Sequence, residues 1–168
     1  MPISISDLPE NEEQRLAELH ALLILETPPE ERFDRITRIT KALFDVPIAV
    51  ISLIDRDRLW FKSNVGLPVN EIGRQDSCCS HAILQEDIFV LEDASIDPRF
   101  KDSALVLGPP NICFYAGAQL TMPSGHNMGT LCIIDHEPRK FSSQQQSLLA
   151  DLSKIVVGEL AGSAAQSV

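Results

Sequence analysis

Ile48-Ala49-Val50-Ile51-Ser52-Leu53-Ile54 is the stretch on which the fold turns. It is an almost unbroken run of β-branched residues and leucine. A strand of that kind is covered on both faces, so it belongs at the centre of a sheet. Asp55-Arg56-Asp57-Arg58 then turns the chain, and Leu59 to Val65, with Trp60 and Phe61, reads as its antiparallel partner. A second hairpin lies further on. Cys113 to Thr121 and Met128 to Asp135 are strand-like, and Pro123-Ser124-Gly125-His126-Asn127 between them is turn chemistry.

Helices flank the hairpins. Leu16, Leu19, Leu22, Leu23 and Leu25 form an apolar stripe over a first helix from about Glu12 to Leu25, ended by Pro28 and Pro29. Thr27, with proline following and Glu30 three positions on, predicts the cap of a second helix that carries Phe33, Ile36, Ile39, Leu43 and Phe44. Arg32, Arg35, Arg38 and Lys41 fall elsewhere on that helix and read as a solvated face. The last helix begins at Ser142, with Gln145 as its capping-box partner. It carries Leu148, Leu149, Leu152, Ile155, Val156 and Leu160.

From Gly66 to Pro110 the periodicity weakens. Ser77 to Leu84 reads as a short helix capped by Asp76 or Ser77, Ile88 to Leu91 as a short strand, and Asp97-Pro98-Arg99-Phe100 as a turn. An irregular stretch of this length inside a compact domain is often functional. The order helix, helix, hairpin, insert, hairpin, helix predicts an α+β fold with an antiparallel sheet of five to six strands. The terminal helices cover one face, and the irregular insert closes a pocket over the other. The expected division is a flexible N-terminus over 1–10, one domain over 11–161 and a flexible tail over 162–168.

A chain of 168 residues has room for one domain of this kind. Its formal charge of −10 disfavours phosphate backbones and anionic lipid heads, which excludes nucleic acid and membrane surfaces as natural partners. No apolar run approaches the ~20 residues of a membrane span. The first ten residues lack the basic start and apolar core of a signal peptide, so a cytoplasmic location is the expectation. Four cysteines, Cys78, Cys79, Cys113 and Cys132, are then expected as free thiols.

Cys78, Cys79 and His81 are the most chemically suggestive cluster, since thiol and imidazole could ligate a metal or activate one another. Two ligands do not close a metal site, and the competing reading is a cysteine that fills space beside a locally bonded histidine. No metal and no cofactor are expected. Trp60, Phe100, Phe114 and Tyr115 could line a pocket, although strand aromatics more often belong to a core. Arg74 and Arg99 could hold an anionic ligand, but Arg99 could equally bond Asp93 or Asp97 and pin the loop. No Gly-x-Ser-x-Gly and no phosphate-binding loop occurs, so no catalytic residue is assigned. The candidate ligand-binding set is Trp60, Cys79, His81, Asp93, Arg99, Phe100, Phe114 and Tyr115.

Several segments resemble the GAF domains found ahead of bacterial histidine kinases and diguanylate cyclases. They include Arg15-Leu16-Ala17-Glu18-Leu19, the run from Leu25 to Asp34, Val46 to Asp55, Trp60-Phe61-Lys62-Ser63, Ser80-His81-Ala82-Ile83, Asp97-Pro98-Arg99-Phe100, Phe114 to Ala118 and Gly129 to Asp135. The resemblance implies a GAF-like, profilin-like sheet. It also implies a sensory module that binds a small molecule and relays its presence through the terminal helices to a kinase or cyclase. A cysteine-dependent redox sensor or a methionine-sulfoxide-reductase-like enzyme is the alternative. Arg139-Lys140-Phe141-Ser142-Ser143-Gln144-Gln145 lacks the acidic end of the cyclic-nucleotide signature. Related modules often pair through their end helices, which implies a homodimer with Leu16, Leu19 and Leu23 of the first helix and the apolar face of the last helix at its interface.

Overall fold

The computed structural model describes residues 8–166. Most of the expected N-terminal stretch, and Ser167 and Val168 of the expected tail, lie outside the described residues. The order of elements is α1 (Glu12–Ala21), α2 (Glu31–Phe44), β1 (Ile48–Ile54), β2 (Arg58–Val65), β3 (Glu71–Gly73), α3 (Cys78–Ala82), β4 (Phe89–Leu91), α4 (Ala104–Leu107), β5 (Phe114–Thr121), β6 (Asn127–Asp135) and α5 (Ser143–Gln166). The six strands form one antiparallel sheet in the order β3-β2-β1-β6-β5-β4.

All seven residues of β1 are buried, so its side chains alternate between two cores. Ala49, Ile51 and Leu53 face α2 and α5, where they join Phe33, Ile36, Leu149, Val156 and Leu160. Ile48, Val50 and Ile54 face the insert and join Leu59, Phe61, Cys79, Tyr115 and Cys132. The helical face and the insert face are as the alternation predicts. At the sheet's centre β1 and β6 approach closely. A Cβ on Gly129 would lie 1.9 Å from the Ser52 carbonyl oxygen, so only glycine fits there.

Three local expectations needed correction. The first helix ends at Ala21 rather than Leu25, because Leu23 adopts a left-handed backbone with φ of 53° that a helix cannot continue. Thr27 does not cap the second helix, which begins at Glu31. The Thr27 hydroxyl is instead engaged by the Lys62 ammonium at 2.7 Å, and the same ammonium bonds the Pro28 carbonyl at 2.7 Å and pairs with Glu30 at 2.7 Å. A lysine whose side chain is fully buried must find such partners, and these residues supply them instead of a helical first turn. β3 and α4 fall within the insert, where the sequence shows no regular period.

The capping box at α5 forms as expected, with the Gln145 N–H donating to Ser142 Oγ at 3.2 Å and the Ser142 N–H to Gln145 Oε1 at 2.9 Å. α5 continues to Gln166, so the boundary expected at 162 falls within a helix. Its apolar stripe is divided: Leu149, Val156 and Leu160 are buried, whereas Leu148 and Ile155 are exposed. Leu16 and Leu19 of α1 are buried within the protomer and unavailable to a partner, and only Leu23 beyond the helix is exposed.

The Gly129 contact generates a test. Gly129→Ala is expected to destabilise the domain by about 1–3 kcal/mol, the usual cost of overpacking, because the neighbour is backbone and cannot rotate away. Gly125→Ala, at a turn with open space around it, isolates the cost of a left-handed glycine without a clash. A thermal melt of Gly129→Ala matching the parent would show that the two strands can part.

Candidate functional site

Between the sheet and the insert lies a cavity of about 340 Å³, within the range of small-molecule sites. Its floor is Val50, Leu59, Phe61, Tyr115, Cys132 and Ile134 from four adjacent strands. Its cover is Leu67, Pro68, Val69 and Ile72 on one side, Leu105, Pro109, Pro110 and Ile112 on another, and Ser77, Cys78 and Cys79 from the start of α3. Among the described residues, no charged side chain lines it.

The insert is held over the floor by polar bonds. The Ser77 hydroxyl caps α3 by accepting the Ser80 N–H at 3.1 Å, and the Ser77 and Ser80 hydroxyls both donate to the Arg74 carbonyl, at 3.1 and 2.6 Å. Gln119 of β5 donates to the Ala82 and Asp87 carbonyls at 2.8 and 2.6 Å, which fixes the far end of α3.

Arg74 has a second role. Its guanidinium reaches Glu12 of α1 at 2.6 Å, and Arg15 grips the same carboxylate at 2.8 Å. Arg15 also donates to the Asn127 carbonyl at the start of β6 at 3.2 Å. All three side chains are nearly buried. Burial opposes ionisation of Glu12, but the hydrogen bonds and charges of Arg15 and Arg74 outweigh it and hold the carboxyl below its ordinary value. Arg74 is therefore a structural cation that joins the cavity wall to the first helix.

Cys79 sits where the insert meets the sheet. Its sulfur accepts hydrogen bonds from Tyr115 Oη at 3.0 Å and Thr130 Oγ1 at 3.1 Å, and lies 4.0 Å from Cys132 Sγ. The contact with the Cys132 thiol lowers the Cys79 pKa most; burial opposes it, and the Thr130, Tyr115 and Ser52 hydroxyls add to the lowering. Cys132 moves the other way, raised by the same contact and by burial. The two hydroxyl donors that meet at Cys79 Sγ favour negative charge on Cys79 over Cys132. Burial pushes the Cys78 thiol far up, and all four cysteines are free.

Of the eight candidate residues, the structure brings Cys79 and Tyr115 to the cavity. Trp60 and Phe114 face the helices, and Phe114 packs on Phe141 at 5.5 Å. His81 and Phe100 meet edge to face at 4.8 Å beside Phe89, with Arg99 above Phe89 and Phe100 at 5.1 and 5.3 Å. Arg99 pairs with Asp97 at 3.0 Å and pins the loop, the structural alternative weighed from sequence. Asp93 caps the turn after β4 by accepting the Ser95 N–H at 3.0 Å, and takes a bond from the Cys113 thiol at 3.2 Å. The residues that sequence reasoning missed are mainly aliphatics and prolines of the cover. Their signal was the density of apolar residues and proline in a stretch without helical or strand period.

The family model for the GAF domain matches residues 28–160. This chain belongs to the GAF domain family. A cyclic di-GMP phosphodiesterase of Pseudomonas aeruginosa is 39% identical over 153 residues, which cover 90% of this chain and 26% of that protein. The chain thus spans about a quarter of the length of that relative. Among solved structures, the GAF domain of a phosphoenolpyruvate-protein phosphotransferase from Coxiella burnetii superposes with a TM-score of 0.68 at 15% identity, covering 94% of this chain and 99% of that one. A free methionine-R-sulfoxide reductase from Neisseria meningitidis, solved with its substrate, superposes with a TM-score of 0.65 at 16% identity, covering 93% and 91%. These two likenesses establish the GAF fold. Among the described residues, no helix is long and apolar enough to cross a membrane.

Glu12 supplies the test of the tie between cavity wall and first helix. Glu12→Ala leaves two buried guanidiniums uncompensated and is expected to cost about 3–5 kcal/mol. The pKa of Glu12 is depressed in the folded state, so its contribution is complete above the ordinary glutamate value of 4.5 and is lost as the pH falls through the native value. Chemical denaturation of the parent and of Glu12→Gln across acid pH reads this out. The parent should lose its advantage over the variant towards low pH, and a constant difference would refute the assignment.

Proposed function

We propose that this GAF domain is a sensory module of a bacterial signalling protein, in which a small molecule bound in the cavity under the insert changes the disposition of the terminal helices. The observation that carries this reading is the apolar cavity itself, bounded by a rigid strand floor and a cover of short elements. Its wall is wired to α1: Ser77 and Ser80 hold the Arg74 carbonyl, and the Arg74 guanidinium holds Glu12. A ligand that moved the start of α3 would pull on α1 through one buried ion pair, a coupling between two sites without a chemical step. We take the module to bind rather than turn over its ligand, and to act in the cytoplasm. Its 39% identity to part of a cyclic di-GMP phosphodiesterase favours an output domain that handles a cyclic dinucleotide over the kinase considered from sequence.

The exposed Leu148 and Ile155 are seven residues apart on α5, two helical turns along one face. That spacing suits a symmetric pairing of α5 with a second copy. Leu148→Glu with Ile155→Glu should keep the secondary structure seen by circular dichroism and convert dimer to monomer in light scattering; a dimer that survives both changes would rule this face out.

The cavity is tested with N-phenyl-1-naphthylamine, a neutral apolar fluorophore. At about 100 times its dissociation constant it should stabilise the domain by about 2.7 kcal/mol, a rise of about 5–10 °C in Tm. Val50→Phe, which fills the floor, should abolish the fluorescence and the shift while leaving the melt at least as high. Leu105→Trp does the same from the cover if Val50→Phe folds poorly. Undiminished binding by folded variants would place the ligand elsewhere.

A further inference from the structure

The cavity combines two properties that sit together rarely: walls without a charged side chain among the described residues, and, where cover meets floor, a sulfur that accepts two hydroxyl hydrogen bonds. Cys79, Cys132 and Tyr115 all line it. Tyr115 Oη and Thr130 Oγ1 aim their protons at Cys79 Sγ, and Cys132 lies beside it. A sulfur that merely filled space would not need two hydroxyl donors. Donors converging on one atom stabilise the negative charge it carries after losing its proton.

We propose that Cys79 is a covalent capture site for neutral, apolar, soft electrophiles, the class of α,β-unsaturated carbonyl compounds that includes quinones and enals. The inference rests on the cavity being the ligand site, and names the chemistry that site takes. In the reaction the Cys79 thiolate adds through Sγ to the β-carbon of the conjugated carbonyl. A carbon–sulfur bond forms, the carbon–carbon π pair moves to give an enolate, and the enolate takes a proton from solvent. The product is a thioether, with no change of oxidation state at any other group. The apolar walls select the molecule: a charged ligand would lose its hydration and find no counter-charge inside.

The other thiols provide the contrast. Cys113 is more exposed than Cys79, but burial and the neighbouring Asp93 carboxylate raise its pKa. Burial raises the Cys78 pKa, and the contact with Cys79 together with burial raises that of Cys132. Accessibility alone would make Cys113 the first to react. The bonding around Cys79 reverses that order for any electrophile the cavity admits.

The test uses two reagents with one reactive group: N-phenylmaleimide, neutral and apolar, and 4-maleimidobutyrate, which carries a carboxylate. The whole native chain is treated briefly at neutral pH with each at limiting concentration, and the adducts are located by peptide mass mapping. N-phenylmaleimide is expected to modify Cys79 before Cys113, and 4-maleimidobutyrate to modify Cys113 before Cys79. Tyr115→Phe and Thr130→Val should each slow the Cys79 adduct by about three- to tenfold when the rate is read at about pH 5, where the thiolate fraction follows the pKa, and Thr130→Val, whose side chain is not part of the cavity lining, should leave N-phenyl-1-naphthylamine binding unchanged. Cys79→Ser should lose the adduct. Reaction at Cys113 first with both reagents, or a Cys79 rate insensitive to Tyr115→Phe and Thr130→Val, overturns the proposal. If N-phenyl-1-naphthylamine still binds in that case, covalent capture falls and the cavity reading stands; if it does not bind, both fall.

Discussion

The rest of the structure depends on one constraint: β1 is buried on both faces. A strand in that position commits the domain to two cores, one on each side of the sheet. The two are built differently. On one side α2 and α5 lie as long rods and fill the space with Phe33, Ile36, Leu149 and Val156. On the other the cover is a five-residue helix, a four-residue helix and loops. Short elements meeting at several angles do not close over a sheet as rods do, and the gap they leave is the cavity.

The strands of the floor cannot easily adjust, because their neighbours fix them. Gly129 lets β6 come within contact of the Ser52 carbonyl, and the Ser52 and Thr130 hydroxyls satisfy each other at 3.0 Å in the space between. The cover is held instead by a few polar points: Gln119 to the end of α3, Ser77 and Ser80 to Arg74, Arg74 to Glu12. A rigid floor under a cover tied at discrete points suits a binding site that must report its occupancy, since displacement concentrates at the ties. The Glu12 tie leads out of the cavity to the helical layer.

Family membership and cavity chemistry answer separate questions. The GAF fold is shared with proteins as unlike as a phosphotransferase and a methionine-sulfoxide reductase, so the fold alone names no ligand. In this chain the lining does the naming. Arg74, Arg99, Asp93 and Asp97 are each engaged outside the cavity, and what they leave behind is aliphatic and aromatic side chains, proline, sulfur and the Ser77 and Tyr115 hydroxyls. That composition disfavours phosphates and carboxylates and favours a neutral apolar molecule.

The sequence by itself determined the sheet and its layers. The apolar run Ile48–Ile54 required a central strand, the two turns set the hairpins, and the leucine-rich stripes of the end segments required helices with one buried face, because period and hydrophobicity are local properties of a chain. It left Arg99 open between a ligand role and a bond to Asp93 or Asp97, and the structure pairs it with Asp97. The cavity was decided only by tertiary structure. Trp60 and Phe61 are adjacent, yet one faces the helices and the other the cavity, because strand pleating alternates sides and the register fixes which side is which. Cys79, Tyr115, Thr130 and Cys132 come from three elements spread over more than fifty residues, and no local pattern in the chain brings them to one point. The Cys79 environment exists only once β5 and β6 pair and α3 is laid across them, since hydrogen bonds to a buried sulfur depend on distance in space and not on position in the sequence.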